Sequence, residues 1–211
     1  MRYTESMKKA DKMKGFTIIE LMITLVVAAV LLSVGVPSFN QMIKSNRLES
    51  AAREFAASFD LARAEAIARG TWVSVCKCDV AGGSPYTCAD PTDGNWDQGW
   101  IVFTDDGPGD PDNDRDNGEF DSGETLIRVQ GAPSVGVTIV GTSNGDDGNP
   151  YLGVDTFVTL SRFGRRLDHE DRATRRQLGK VSICDDRDSE SGWELEIKEN
   201  GQLIKKKMTC S

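Results

Sequence analysis

A long apolar run near the amino terminus constrains this chain more than any other feature. From Leu21 to Val36 nearly every residue is apolar. Counted from Phe16 to Phe39, the segment would form a helix of about 36 Å at roughly 1.5 Å per residue, enough to cross the hydrocarbon core of a bilayer. The run therefore predicts a single membrane-spanning helix.

Charges at the start of the run set its orientation. Residues 1–15 contain five Lys or Arg and two Asp or Glu, and basic residues stay on the cytoplasmic side. We therefore expect the amino end on the cytoplasmic side and the rest of the chain on the opposite side of the membrane. Glu20 lies inside the run, where a charged carboxylate costs roughly 2.5 kcal/mol or more at membrane depth. This cost predicts that Glu20 has a partner.

The residues KGFTIIEL at 14–21 resemble the type III signal of type IV pilins and type II secretion pseudopilins. The resemblance implies cleavage after Gly15 by a prepilin peptidase and N-methylation of the new first residue, Phe16. It also implies that Glu20 acts in assembly, as the fifth residue of the mature chain. The implied partners are other minor and major pilins, the peptidase and the inner-membrane assembly platform.

The charge of the mature chain limits its partners. Removing residues 1–15 takes five basic and two acidic residues from the 25 and 33 of the whole chain, which leaves a net charge of −11. Binding of nucleic acid or anionic lipid through overall charge is therefore disfavoured. Five cysteines, all after the apolar run, are typical of an oxidising compartment such as the periplasm or cell exterior.

An amphipathic helix is predicted to follow the apolar run. Small and apolar residues recur there at alternating steps of four and three: Leu48, Ala52, Phe55, Phe59, Ala62 and Ala66. This stripe should pack on the domain core, and Gly70 should end the helix. Pro37, with Gly35, predicts a kink or weak point before it.

After Gly70 the pattern is typical of strands, and Asn200-Gly201 predicts a hairpin between the last two. The candidates are Trp72–Lys77, Trp100–Thr104, Thr125–Gln130, Val135–Val140, Thr156–Ser161, Lys180–Cys184, Trp193–Lys198 and Gln202–Met208. The fold class is α+β, with one long helix packed on antiparallel β-sheets. We expect a leader at 1–15, a membrane or fibre-core helix at 16–39, an amphipathic helix at 40–70 and a β-rich domain at 71–211.

Two segments of the β-rich region, GWIVFTD at 99–105 and GETLIR at 123–128, resemble the GspH/FimT group of minor pilins and pseudopilins, which includes FimU. The resemblance implies the type IV pilin fold and, as in FimU-like proteins, a minor pilin in the initiating or tip complex of a type IV pilus. A GspH-type minor pseudopilin of type II secretion and a FimT-like DNA receptor are the alternatives.

The cysteines are expected to form two disulfides. Cys184 ends a predicted strand and Cys210 follows the last one, so a bridge between them would hold the carboxyl terminus on the sheet. Cys76 is favoured over Cys78 as the partner of Cys88, because Cys76 lies within a strand and the resembling group often has a cysteine there. The state of Cys78 is left open.

The stretch from Asp105 to Glu124 is the most acidic. Its aspartates fall at EF-hand-like spacings at Asp110, Asp112, Asp114, Asp116 and Asp121. Arg115 occupies the sixth position, which needs glycine, and no helical pattern flanks the loop. We therefore expect a solvated loop joining two strands, with calcium binding as the alternative.

A basic segment stands out against the acidic background. Residues 162–180 contain seven basic and three acidic residues. The basic ones are Arg162, Arg165, Arg166, Arg172, Arg175, Arg176 and Lys180. FimT-like proteins bind DNA through Gly-Arg-x-Arg near the carboxyl end, but the matching hairpin here reads NGQLIKKK at 200–207. We predict that Arg162, Arg165 and Arg166 contact an acidic neighbouring subunit and not DNA.

An enzyme is not indicated. His169 is the chain's one histidine, and no Ser or Cys nucleophile is paired with a recognisable base by spacing. Cys76 and Cys78 are too close for the usual metal-binding pair. We therefore expect no catalytic residue, no metal and no cofactor.

Overall fold

A computed structural model describes residues 15–78, 86–88, 95–105, 118–121, 123–143, 157–165, 179–187, 191–198 and 200–210. Helix α1 (Ile18–Arg69) precedes eight strands. The chain divides into two compact units, one ending at Ile43 and one beginning at Lys44.

In the first unit, the apolar part of α1 exposes its side chains. An 18-residue window has a mean hydropathy of 2.5 with no part of it buried, so by length and composition α1 is able to cross a membrane. Its hydroxyl groups bond to the helix itself: Thr24 Oγ1 donates to the Leu21 carbonyl at 2.8 Å and Ser33 Oγ to the Val30 carbonyl at 2.7 Å. Such bonds suit an apolar solvent. The helix continues through Pro37, and the weak point expected there stays a prediction.

In the second unit, α1 is amphipathic as predicted. All six residues of the predicted stripe are buried, together with Ala51 and Ser58. Gly70 ends the helix with a φ of 69°, a left-handed conformation that glycine adopts without strain. The N–H groups of Gly70 and Thr71 donate to the Ala66 carbonyl at 3.0 and 3.2 Å. These bonds satisfy a carbonyl that the helix end would otherwise leave unpaired.

All eight predicted strands are present, with ends within three residues of those expected. They are β1 (Val73–Lys77), β2 (Gly99–Thr104), β3 (Leu126–Gly131), β4 (Val137–Ser143), β5 (Phe157–Leu160), β6 (Gly179–Asp185), β7 (Ser191–Ile197) and β8 (Leu203–Thr209). They form two four-stranded antiparallel sheets, ordered β3-β2-β1-β5 and β4-β6-β7-β8. The α+β fold class is therefore confirmed.

The core lies between α1 and the two sheets. Phe55 contacts Trp96 and Trp100 edge-on, with ring centroids 5.3 and 5.2 Å apart, and all three are buried. The segment before β2 also ties the sheets together, because the Ile139 N–H of β4 donates to the Asp97 carboxylate at 2.6 Å. Burial raises the pKa of Asp97, and this hydrogen bond offsets only part of that increase. The sequence had not indicated which strands form each sheet.

Candidate functional site

The predicted processing and assembly residues lie at the start of α1. Gly15, Phe16 and Glu20 are all exposed, and Phe16 exposes 72% of its surface. Thr17 caps the helix: the Glu20 N–H donates to Thr17 Oγ1 at 3.3 Å and the Leu21 N–H to the Thr17 carbonyl at 3.1 Å. Sequence reasoning missed this cap, although Thr-x-x-Glu is a capping-box pattern.

The cap fixes where the helix begins relative to the expected cleavage point. Phe16 lies outside the helix, and Glu20 lies in its first turn. A carboxylate there interacts favourably with the positive end of the helix dipole. The arrangement presents an acidic group four residues from the amine that cleavage after Gly15 would create.

The acidic stretch is only partly described, and one of its members is buried instead of solvated. Asp105 is buried and accepts hydrogen bonds from Ser74 Oγ, from Thr159 Oγ1 at 3.4 Å and from the Gly118 N–H at 3.1 Å. Asp105 thus joins β1 and β5 to residue 118. The four aspartates from Asp110 to Asp116 lie outside the described residues. Among the residues that the structure describes, no group of carboxylate, His or Cys side chains suits a metal.

The basic segment is also described in part. Arg162 and Arg165 lie in a turn after β5, and the Arg162 guanidinium carbon is 5.0 Å from the ring centroid of Phe163. Lys180 instead lies in β6 and pairs with Glu194 at 3.3 Å. The remaining predicted members, from Arg166 to Arg176, lie outside the described residues, as does His169.

The lysines of the last hairpin are engaged within the domain. Lys205 pairs with Glu49 at 2.7 Å and lies 3.8 Å from the ring centroid of Trp193. Lys206 pairs with Glu196 at 2.6 Å. Both lysines therefore have intramolecular partners, which makes β8 a weaker candidate for a DNA-binding surface.

Glu196 is the most strongly perturbed carboxylate of this region. Lys198 and Lys206 both donate hydrogen bonds to it, and these bonds lower its pKa from the ordinary 4.5 to about 2. Hydrogen bonding to Lys205 likewise lowers the pKa of Glu49. The charged form of each carboxylate is thus favoured in the folded domain.

Two disulfides join the pairs expected from the sequence, Cys76–Cys88 and Cys184–Cys210, with Cα–Cα distances of 5.7 and 5.9 Å. Gly192 lies against the second bridge, since a β-carbon there would be 2.3 Å from Cys210 Sγ. The carboxyl terminus is thereby fixed to the second sheet. Cys78 is buried and pairs through its backbone with Cys88.

Two family profiles match the chain. The profile described as the prokaryotic N-terminal methylation motif matches residues 11–36. The profile described as type II transport protein GspH matches residues 51–201, most of the chain. The chain belongs to the GspH family. This confirms the resemblance to the GspH/FimT group; membership implies assembly with other pilins, and the methylation motif implies processing by prepilin peptidase.

Two solved structures are similar to this chain, both of the type IV minor pilin FimU from Pseudomonas aeruginosa. In one crystal form the identity is 17%, the TM-score is 0.46, and the match covers 75% of this chain and 92% of the other. In the second form these values are 18%, 0.47, 77% and 90%. A comparison with curated protein sequences found no significant match.

Proposed function

We propose that the chain is a minor pilin incorporated into a type IV pilus, in the initiating or tip complex. The observation that carries the proposal is an N-terminal methylation motif on a helix whose apolar segment is wholly exposed. A helix that is apolar all round needs an apolar environment. Lipid supplies it before assembly, and the helices of neighbouring subunits supply it in the fibre.

Processing would create the assembly-competent chain. Cleavage after Gly15 removes the basic leader and leaves Phe16 as an N-methylated first residue. Glu20 then pairs with the charged amine of Phe16, its own or that of an adjacent subunit. In the membrane both charges are costly alone, so the pair favours close packing of helices and gives Glu20 its role.

The proposed division of the chain follows from this role. Residues 1–15 form the leader, 16–39 the membrane and fibre-core helix, 40–70 the amphipathic half and 71–211 the periplasmic domain. The subunit is a single-pass inner-membrane protein before assembly and becomes extracellular with the pilus. Its role is structural and not catalytic, and it uses no cofactor.

A second candidate is a minor pseudopilin of a type II secretion system. The description of the matching family as a type II transport protein favours it. Processing, membrane insertion and helix packing are the same for both candidates. They differ in the fibre that incorporates the chain and in the phenotype of its loss.

The test compares wild type with Gly15→Val, which blocks the expected cleavage. We expect wild-type protein in sheared surface pili, with N-methylated Phe16 identified by mass spectrometry, and Gly15→Val protein retained uncleaved in the inner membrane. Loss of the gene should reduce pili and spare secretion of folded proteins. Loss of secretion with normal pili would instead support the pseudopilin candidate, and a wild-type chain that is never cleaved would contradict both.

A further inference from the structure

An exposed aromatic side chain lies on a tightly bonded turn of the domain. Phe163 exposes 71% of its surface, between Ser161 and Arg165. The Ser161 N–H donates to the Arg165 carbonyl at 2.7 Å, and the Gly164 N–H donates to the Ser161 carbonyl at 2.7 Å. Ser161 Oγ also accepts from the Arg165 N–H at 3.3 Å. These bonds fix the backbone on both sides of Phe163.

The turn is also locked against α1 and the last hairpin. Arg63 of α1 donates through Nε to the Gly164 carbonyl at 3.1 Å. A β-carbon on Gly164 would lie 2.7 Å from Ile67 Cδ1, and one on Gly201 would lie 2.0 Å from the Gly164 carbonyl oxygen. Both glycines have positive φ angles, 68° and 71°. The turn is therefore in close contact with side chains of α1 and with the backbone of the last hairpin.

We call Arg63, Ile67, Arg162, Phe163 and Arg165 the Phe163 surface. Ile67 is 52% exposed beside the turn, so the surface has two apolar side chains among three arginines. Aromatic residues and arginine are enriched at protein interfaces and carry much of their binding energy. A side chain held on a fixed backbone also loses less conformational freedom on binding.

We infer that the Phe163 surface docks on a different pilin subunit of the same fibre, in an apolar pocket with an acidic rim. This inference rests on the proposed function. Head-to-tail contacts in fibres join different faces of neighbouring subunits, and the neighbours of a minor pilin in an initiating or tip complex are other pilins. A protruding ring on this chain therefore requires a pocket on one of those subunits. The three arginines indicate that the rim of that pocket is negatively charged, since complementary charge stabilises and orients a contact.

Nucleic acid is the less suitable occupant. Single-stranded binding uses several stacking rings along a positive groove, whereas this surface has one exposed ring. The −11 charge of the mature chain repels a polyanion around it. The lysines of β8 that pair with Glu49 and Glu196 are already engaged and add little positive charge.

The experiment places a photo-crosslinking phenylalanine at position 163 of the full-length chain in cells that assemble pili. The matched control carries it at Val135, which is 91% exposed in the same domain. We expect position 163 to crosslink to an acidic peptide of another pilin-family subunit, identified by mass spectrometry, and position 135 not to. DNA or a second copy of this chain at position 163 would overturn the inference, as would an equal pilin crosslink from 135.

Variants of the surface give a second measurement. Phe163→Ala, and Arg162→Glu with Arg165→Glu, should lower co-purification of that subunit by about tenfold or more, whereas Val135→Ala should leave it unchanged. A lysine substitution for the acidic partner residue should restore binding to the glutamate variant. Unchanged melting of the variants would exclude unfolding as the cause.

The outcomes separate this inference from the proposed function. If the wild-type chain is cleaved and incorporated, but the variants co-purify and incorporate equally well, the inference is wrong and the proposed function stands. If the wild-type chain never enters a fibre, the proposed function fails and this inference fails with it.

Discussion

The two units use one helix in opposite ways. Before Ile43, α1 exposes large apolar residues such as Leu25, Leu31 and Phe39 by more than half of their surface. From Lys44 onward it buries a single stripe, with Phe55 and Phe59 each 1% exposed. The first part therefore depends on other molecules for its apolar contacts, while the second obtains them within its own domain. Assembly and stability should accordingly respond to different substitutions.

Glu20→Ala should show most clearly that the two units respond to different substitutions. Removing the carboxylate leaves the Phe16 amine unpaired in an apolar setting, which we expect to cost about 3 to 5 kcal/mol of assembly free energy. Incorporation into sheared pili, measured by immunoblot, should fall strongly while cleavage after Gly15 continues. Glu20→Asp retains the charge and is the control. Normal incorporation of the alanine variant would refute the role of Glu20.

Phe55→Ala should act on the domain alone. It leaves a cavity beside Trp96 and Trp100, and such truncations cost about 3 to 5 kcal/mol. Tryptophan fluorescence of the mature chain in detergent follows the unfolding directly. Phe39→Ala, at a position 63% exposed in the first unit, should leave that transition unchanged. Equal destabilisation by both variants would remove the distinction between the units.

The carboxyl-terminal disulfide should contribute slightly less to the stability of the domain than the Phe55 side chain does. Replacing Cys184 and Cys210 by serine opens a bridge between residues separated by 26 positions, which the chain-entropy model values at roughly 3 to 4 kcal/mol, an upper figure for many real bridges. We expect a lower unfolding temperature with membrane insertion retained. An unchanged transition would show that the bridge does not stabilise the domain.

Peptide mapping under non-reducing conditions tests the pairing itself. We expect one peptide joining Cys184 to Cys210 and another joining Cys76 to Cys88. Recovery of Cys210 as a thiol would contradict the first bridge. A peptide joining Cys78 to Cys88 would reverse only the second assignment.

The smallest expected effect is a dependence of stability on acid pH at Glu196. Its folded pKa is lowered to about 2 from 4.5, so the unfolded chain takes up a proton first as the pH falls. The stabilisation is complete above 4.5 and disappears towards pH 2. The gap in melting temperature between wild type and Glu196→Gln should narrow across this window. A constant gap from pH 6 to pH 2 would contradict the assignment.

Local pattern was sufficient for much of the structure. The apolar run predicted the membrane-compatible helix, the steps of three and four predicted the buried stripe, and Gly70 predicted the helix end. These signals work because the residues involved are neighbours along the chain, and backbone geometry alone decides which of them share a face. The strands were recognised for the same reason.

Contacts between distant segments needed the tertiary structure. The sequence placed Asp105 in a predicted solvated loop. In the structure it is buried and accepts hydrogen bonds from Ser74 and Thr159, which are 31 and 54 positions away. The Lys205–Glu49 pair spans 156 positions. In the sequence alone, the lysines of β8 therefore looked unpaired.

The sequence by itself thus determined that this chain carries a prepilin-like, membrane-compatible helix and an antiparallel β-rich domain. Only the tertiary structure decided how the strands divide into two sheets and which charges are paired. It also decided that Phe163 is exposed on a turn locked by Gly164 and Gly201. The physical reason is that hydrophobic periodicity is a local property, whereas pairing and burial depend on which distant residues share the same space.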